Sequence, residues 1–245
     1  TAKNLWNSRK IVVPVCAFAA AGMLTLLAGS GLFARTDQAA CDALYQHPSA
    51  TDGEVVIIGI DQKSLDAYGP YQEWCREGVA KTIDLLNADP DSRPAAIGVD
   101  VLFGGGTDPE TDQALAAAAG RCDNVVTACA AEFDEGFAET EGGFIHSSFL
   151  LIAFEEPFPA LRDAAALGHI NAMLDQDGIL RHHLLSYELP DGTYVPSLAL
   201  ALAEMYQDKL TLPPADAHGF WYLPYSKVPG DFEIRSMADV LTGRD

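Results

Sequence analysis

The first feature of the hydropathy pattern is a run of 23 uncharged, mostly apolar residues at positions 11–33. As a helix this run would be about 34 Å long, enough to cross the ~30 Å hydrocarbon core of a bilayer. Three cations, Lys3, Arg9 and Lys10, precede the run, and no acid lies before its end. By the positive-inside rule we expect an uncleaved membrane anchor, a cytoplasmic N-terminus and an extracytoplasmic body. The alternatives are a cleaved secretory signal and a lipoprotein attached at Cys41.

The rest of the chain alternates between short apolar runs and amphipathic segments. Apolar, β-branched runs typical of buried parallel strands occur at 54–61, 95–103 and 124–131. Helical patterns separate these runs, at 74–87 and 109–119. The order strand, helix, strand, helix, strand predicts an α/β fold with right-handed parallel crossovers.

The pattern changes in the second half of the body. Residues 144–153 are apolar and fit either a strand or a loop packed on the core, and residues 157–166 predict a short helix. Residues 168–173 and 179–187 flank an Asp-Gly turn, which predicts an antiparallel hairpin. The later elements are a helix through about residue 206, a strand at 220–225, and a helix at 237–241 with Ser236 as its cap.

These patterns divide the chain into four parts. They are a cytoplasmic N-terminus at 1–10, a transmembrane helix at 11–33, a linker at 34–53 and an extracytoplasmic domain at 54–245. The predicted fold class is therefore one transmembrane helix followed by an α/β domain. We expect that domain to contain a mostly parallel sheet and an antiparallel hairpin.

The charge balance narrows the choice of partners. The chain holds 35 acidic and 15 basic residues, a net charge of −20. The 212 residues after position 33 hold 12 basic and 35 acidic residues, a net charge of −23. Nucleic acid is therefore not an expected partner, because phosphate binding needs a basic surface. The acidity is compatible with a basic partner or a cation, and the composition identifies neither.

Four cysteines lie outside the predicted anchor, at positions 41, 75, 122 and 129, whereas Cys16 lies within it. No spacing typical of zinc or haem binding is present in the sequence. An even number of cysteines in an oxidising compartment predicts two disulfides. Parallel topology places Cys75 and Cys129 at the carboxyl edge of the sheet, and Cys41 and Cys122 at the opposite edge. Because bridged Cα atoms must lie within about 7 Å, we expect the pairs Cys75–Cys129 and Cys41–Cys122.

Residues with evident chemistry are few, and the first candidates are two aspartates. Asp61 and Asp100 each close a predicted strand at the carboxyl edge, where open α/β sheets bind ligands. Two carboxylates there could hold a cation or act as acid and base, or else they cap helices and order loops. Three glycines at 104–106 precede a helix, as in a phosphate cradle. They lack the Lys-Ser/Thr of a P-loop, so a plain strand-to-helix turn is the preferred interpretation.

A second candidate site lies on the predicted hairpin. His169 and Asn171 alternate along one strand and therefore share a face. Arg181, His182 and His183 lie on the strand expected to pair with it. These side chains could form a polar ligand pocket, and the alternative is ordinary hydrogen bonding from side chain to backbone.

Six motifs follow one another over residues 54–241. They are EVVIIGIDQKSLDAYG, AAIGVDVLF, DPETDQALAAAAGRCDNVV, PALRDAAALGHINAMLDQDGILRHHLL, PSLALALA and MADVL. In this order they resemble the CHASE type two domain, the cyclase/histidine-kinase-associated extracellular sensory domain. The resemblance implies a domain that follows a membrane helix, lies outside the bacterial cytoplasm and signals to nucleotide cyclases or protein kinases. The family has no well-defined ligand motif, so the resemblance implies a role and no site residues.

The resemblance also bears on what would follow the domain. Family members usually continue into another strand, several membrane helices and a cytoplasmic output domain. We therefore expect the domain at 54–245 to be incomplete at its C-terminus, or to belong to a member that has lost its output. The cysteines are not part of the family pattern.

Three functions are considered on these grounds. The first is a non-enzymatic sensory domain of a receptor in the bacterial inner membrane, which binds an unknown extracytoplasmic ligand and needs no cofactor. The second is a non-catalytic accessory or structural subunit of a membrane complex, in contact with other membrane proteins or with its own copies. The third is an extracytoplasmic enzyme that uses Asp61 and Asp100, and the sequence holds no catalytic motif in its favour.

Overall fold

A computed structural model describes most of the chain. The described residues are 2–29, 34–45, 53–140, 143–175, 177–207, 209–212, 214–216, 219–223, 225 and 232–244. The chain divides into two compact units. One consists of Thr1–Ala50 with Pro224–Pro229, and the other consists of Thr51–Leu223 with Gly230–Asp245.

The described residues of the first unit form the helices α1 (Ala2–Gly29) and α2 (Ala34–Tyr45). Across the described residues, no helix is both long enough and apolar enough to cross a membrane. The transmembrane helix expected at 11–33 is therefore not supported by the structure, and residues 30–33 of that run lie outside the described residues.

The second unit mixes short strands with helices. Its described strands are β1 (Val56–Gly59), β2 (Ile97–Val99), β3 (Val125–Thr140), β4 (Gly143–Glu155), β5 (Ala166–His169), β6 (His182–Leu184), β7 (Ser186–Glu188), β8 (Tyr194–Pro196), β9 (Phe220–Tyr222) and β10 (Glu233–Ser236). Its described helices are α3 (Gln62–Tyr68), α4 (Tyr71–Leu86), α5 (Pro109–Ala119), α6 (Pro159–Arg162), α7 (Leu198–Tyr206) and α8 (Met237–Thr242). Both parallel and antiparallel pairs occur, so the mixed α/β class is confirmed.

The central sheet is built around β3. The first part of β3 pairs in parallel with β2 on one side and with β5 on the other, and Cys129 lies opposite His169. From Ala130 onward β3 pairs antiparallel with β4 instead. The apolar residues at 144–153 thus form a strand and not a loop.

Helices cover both faces of this sheet. On one face α4 and α5 bury Ile83 and Leu115 against Val125. On the other face lies α7, which approaches the strands closely because glycine stands there. A Cβ atom built on Gly168 would lie 2.6 Å from the Cα atom of Leu198. Neighbouring strand residues point to opposite faces, so His169 lies on the face opposite α7.

A separate parallel pair joins β1 to β10, with Val56 opposite Glu233 and Gly59 opposite Ser236. Helix α3 follows β1 and helix α8 follows β10, so the two helices begin side by side. The sequence did not predict α3, because seven residues are too few to show a helical period. The helix expected at 157–166 is shorter than predicted, since only the four residues of α6 are helical.

The predicted hairpin around the Asp-Gly turn is wrong. The turn itself forms, and the Gly178 N–H donates to the Asp175 carbonyl at 2.8 Å. However, β5 pairs with β3, and β6 pairs with β9, so the two flanking segments are not partners. Turn residues specify a local reversal of the chain, whereas distant strands specify the pairing.

The predicted Cys75–Cys129 disulfide is also wrong, because both cysteines are free. Cys75 lies on α4 within the core and contacts the Tyr71 side chain. Cys129 lies on β3 and contacts the Tyr187 side chain. The predicted strand ended near Cys129, whereas β3 continues to Thr140, and the parallel topology gave no distance between the two thiols.

Cys122 is free as well, which contradicts its predicted bridge to Cys41. The side chain of Cys41 lies outside the described residues. Cys122 precedes β3 in the turn after α5 and is partly exposed. The even count of cysteines suggested paired thiols, and the folded chain leaves Cys122 unpaired.

Candidate functional site

Asp61 follows β1 and caps α3. Its Oδ1 atom accepts hydrogen bonds from the Ser64 N–H at 2.9 Å, the Ser64 hydroxyl at 2.8 Å and the Ser236 hydroxyl at 2.9 Å. These bonds, the one from the Ser64 N–H first, hold the pKa of Asp61 below its usual value, because each donor stabilises the carboxylate. The buried Ser64 hydroxyl also accepts from the Ala238 N–H at 3.1 Å and so caps α8, the role expected of Ser236. Asp61 therefore joins the starts of α3 and α8.

Asp100 is exposed just after β2. It does not share a strand pair with Asp61, because β2 belongs to the central sheet and β1 pairs with β10. The hydrogen bonds of the described residues include none between these two carboxylates. Over the same residues, no three His, Cys, Asp or Glu side chains have an arrangement that could hold a metal ion. In the described part of the chain, Asp61 and Asp100 thus do not follow neighbouring strands.

Asn171 has a structural partner on β3. Its side-chain carbonyl accepts from the Ala131 N–H at 2.9 Å, and its amide group donates to the Ala131 carbonyl. The side chain therefore continues the β3–β5 pairing two residues beyond His169. This matches the alternative of side-chain-to-backbone bonding.

Part of the second predicted site does come together. The ring centroids of His169 and His183 lie 5.7 Å apart, and the Tyr187 ring lies 4.8 Å from His169. Cys129 lies opposite His169 in the strand register and touches the Tyr187 hydroxyl. Thr127 shares the Cys129 face of β3. We call Thr127, Cys129, His169, His183 and Tyr187 the histidine cluster.

The histidine cluster contains buried polar atoms that lack a hydrogen-bond partner of normal geometry. They are Thr127 Oγ1, both ring nitrogens of His169, and the Tyr187 hydroxyl. The backbone of Leu184 lies close enough to His169 to favour its protonated form weakly, and the Cys129 thiol lies beside the Tyr187 hydroxyl. Buried polar groups in folded proteins are nearly always paired, so this cluster is an unusual place in the fold.

Burial sets the protonation states of the histidine cluster. It lowers the pKa of His169 to about 4, with a further contribution from the neighbouring His183. Burial also lowers the pKa of His183, raises the pKa of Cys129 to about 11 and raises the pKa of Tyr187. A buried group resists taking a charge, so all four groups are neutral near pH 7.

Arg181 and His182, which were expected beside His169, lie elsewhere. Arg181 pairs with Asp175 at 2.8 Å and with Asp177 at 2.9 Å. The Nδ1 atom of His182 lies 3.3 Å from Asp175. These contacts hold the turn at 175–178 against β6 and leave only His183 to join the histidine cluster.

The glycine loop at 104–106 is held by the chain's own Arg76. The Arg76 guanidinium donates to the Gly105 carbonyl at 2.8 Å and pairs with Asp112 on α5. It also lies over two aromatic rings, 4.8 Å from the Phe158 centroid and 5.6 Å from the Phe103 centroid. A carbonyl of this loop therefore faces a buried cation, which favours a plain strand-to-helix turn over a phosphate cradle.

Two surface clefts lie apart from the predicted residues. The first, of about 180 Å³, is lined by Tyr68, Trp74, Glu77, Gly78, Lys81 and Leu241. The second, of about 270 Å³, lies where β3 and β5 begin and is lined in part by Met205. Neither cleft is lined by Asp61, Asp100, His169 or Asn171.

A comparison with protein families shows to which family the chain belongs. The family described as the CHASE2 domain matches residues 16–244. The chain belongs to the CHASE2 family. This confirms the resemblance drawn from the six sequence motifs, and CHASE2 is a family of extracellular sensory domains in signalling receptors, not a catalytic one. No curated protein and no solved structure matches the chain.

Within this CHASE2 domain, sequence reasoning finds His169 and His183 but misses Tyr187 and Arg76. Tyr187 had a usable signal, because alternation from position 183 places it on the same strand face as His183. Arg76 had none. Its partners come from α5 and from the loop at 104–106, which only the folded chain brings together.

Proposed function

We propose that this CHASE2 chain is the sensory domain of a membrane-anchored bacterial signalling receptor and lies outside the cytoplasm. The observation that carries the proposal is the family match over residues 16–244. Members of the family supply signalling receptors with their extracellular sensory part. The ligand is extracytoplasmic, and the output module, such as a cyclase or a kinase, belongs to another part of the receptor.

Membrane attachment is the part of the proposal that the sequence supports. The uncharged run at 11–33 follows three cations and precedes a body of net charge −23. By the positive-inside rule, this distribution supports an N-terminus in the cytoplasm and a body outside the inner membrane. The acidity of the body would also keep it away from anionic lipid surfaces. Expected partners are copies of the chain or other membrane proteins.

The domain itself is proposed to act without catalysis. The carboxylate of Asp61 is engaged by Ser64 and Ser236, and the Arg76 guanidinium is engaged by Asp112. Both groups thus stabilise the fold. A sensory domain needs an element that can adopt two conformations and so respond to a stimulus. In the described part of the chain, the histidine cluster is the best candidate for that element.

Reporter fusions test the placement of the domain. The full chain is fused after Asp245 to alkaline phosphatase or to green fluorescent protein and expressed in a Gram-negative bacterium. We expect an active phosphatase and a dark fluorescent fusion, because phosphatase folds only in an oxidising compartment. Replacing Lys3, Arg9 and Lys10 with glutamate is the matched control and should weaken this orientation. A fluorescent fusion with inactive phosphatase would refute the placement.

Purification separates a receptor from the accessory-subunit alternative. The chain is isolated from its native membranes in mild detergent after chemical crosslinking. A receptor should crosslink to copies of itself through the sensory domain and remain joined to one signalling output. Recovery in fixed proportion with an unrelated membrane assembly would contradict the receptor role and favour the accessory subunit.

A further inference from the structure

We infer that the histidine cluster is a proton sensor, in which acid outside the cell protonates His169 and opens the packing between β5 and the segment β6–β7. The inference rests on the proposed function, since it names the stimulus of the same sensory domain. The observation behind the inference is the imidazole ring of His169, which is fully buried. Among the described residues, it is the one such titratable ring in which neither nitrogen makes a hydrogen bond of normal geometry.

Among the described side chains, no carboxylate pairs with His169 to stabilise a positive charge on its ring. The titratable and polar groups that contact the ring or share its face come from every neighbouring element. They are Thr127 and Cys129 from β3, His183 from β6, Tyr187 from β7, and Ser197 at the start of α7. The carboxylate of Glu156 acts on the Cys129 thiol, and the Leu184 backbone gives the protonated ring its one favourable contact.

Protonation of His169 would therefore create a buried cation without an anion beside it. Removing such a charge from water is costly. The ring of His183 is 5.7 Å away and would add repulsion if it also took a proton. The neutral ring, in contrast, packs against Tyr187 as an aromatic group. An open state in which water reaches His169 binds the proton more tightly, so acid shifts the population toward that state.

The expected size of this shift follows from the two environments of the ring. The pKa of His169 is about 4 when the cluster is closed and 6.5 when the ring is in water. The closed state therefore loses stability as the pH falls below 6.5, and the loss is complete below about 4. Between pH 7.5 and pH 5, the ratio of open to closed molecules should rise roughly 30-fold.

Labelling of Cys129 measures this opening directly, because the thiol is buried in the cluster. The full-length chain in detergent is treated with 4,4′-dithiodipyridine, which reacts with thiols in acid, and labelled peptides are quantified by mass spectrometry. Rates are divided by that of a free thiol peptide at the same pH. We expect the Cys129 rate to rise roughly 30-fold from pH 7.5 to pH 5. The buried Cys75, on α4, should show no such rise.

Two variants test whether His169 causes the change. His169→Gln removes the titrating ring and should abolish the acid-dependent rise at Cys129. His182→Gln is the matched control, since His182 lies on the same strand as His183 but contacts Asp175, and the rise should persist. The inference is overturned by an unchanged Cys129 rate in the native chain, by a rise retained in His169→Gln, or by an equal rise at Cys75.

A measurement on the unmodified chain covers the case in which His169→Gln does not fold. Histidine ring signals are followed by NMR during a pH titration of the folded chain. A His169 midpoint below pH 5 supports the inference, and a midpoint near 6.5 overturns it. The reporter fusions do not depend on His169. Failed labelling with an active phosphatase fusion therefore refutes proton sensing alone, whereas a cytoplasmic fusion refutes the receptor placement.

Discussion

Replacing Arg76 with methionine removes the cation that joins α4, α5 and the loop at 104–106. In the native chain only 8% of Arg76 is exposed. Its guanidinium pairs with Asp112 and donates to the Gly105 carbonyl at 2.8 Å. Methionine keeps most of the apolar stem, so the substitution removes the charge, its hydrogen bonds and the contact of the guanidinium with the Phe158 ring.

The expected loss of stability is large because the partner of Arg76 is also buried. The Asp112 side chain is 14% exposed and would keep hydrogen bonds from the Thr107 N–H at 3.0 Å and the Thr107 hydroxyl at 3.4 Å, but no cation beside it. Removing one partner of a buried ion pair costs about 3–5 kcal/mol. A domain of this kind has about 5–15 kcal/mol of stability in total, so Arg76→Met should lose a substantial part of it.

Urea unfolding of the full-length chain, followed by tryptophan fluorescence, measures this loss. Trp74 lies on the same helix as Arg76 and reports on that part of the core. The matched control is Arg121→Met, because Arg121 pairs with Asp84 at the surface, where the two side chains are 51% and 46% exposed. We expect the control to lose less than about 1 kcal/mol.

A loss for Arg76→Met no larger than that for Arg121→Met would refute this account of the core. The double variant Arg76→Met with Asp112→Leu provides a second check. Removing both charges leaves no unpaired buried carboxylate, so the double variant should be more stable than Arg76→Met alone. If the double variant is less stable by the sum of two independent losses, Arg76 and Asp112 do not act as a pair.

Two further substitutions test how the central sheet is held. Gly168→Ala should destabilise the domain by about 1–3 kcal/mol in the same assay, because the new Cβ atom would lie 2.6 Å from Leu198 on α7. Gly59→Ala is its control, since there the nearest atom is 3.8 Å away, and an equal loss in both variants would contradict the close approach of α7. Asn171→Ala should cost about 1–3 kcal/mol and speed amide exchange at Ala131, whose N–H and carbonyl would lose their partner. Unchanged exchange at Ala131 would show that Asn171 does not support β3.

The parallel part of the fold could be predicted because each of its strands and helices has a recognisable hydropathy pattern of its own. The apolar runs that became β1, β2 and β3 do form strands with parallel partners, although β1 is partly exposed and β3 continues to Thr140. The helix at 109–119 was predicted with its observed bounds. The hairpin could not be predicted in the same way. The Asp-Gly turn is local, but the choice of β3 as the partner of β5 depends on residues about forty positions earlier in the chain.

Like the fold, the candidate site could be predicted from the sequence only in part. Alternation placed His169 on a strand, and its contact with His183 was anticipated even though the strand pairing was wrong. The roles of Asp61 and Asn171 could not be distinguished from ligand binding by sequence. Asn171 bonds to Ala131, forty positions away, and Asp61 bonds to the distant Ser236 as well as to the nearby Ser64. Side-chain distances, which decide both disulfides and sites, appear only when the fold is known.

The pairing of β1 with β10 gives the domain a mechanical property. The two strands run in parallel, so tension applied to the chain ahead of β1 loads their backbone hydrogen bonds in shear. In this geometry all the hydrogen bonds of the strand pair bear the force together, so they do not break one after another. The bond from Ser236 to Asp61 links the end of this pair to the start of α8. A pull on the N-terminal side would therefore reach the last helix by a short and stiff route that bypasses the histidine cluster.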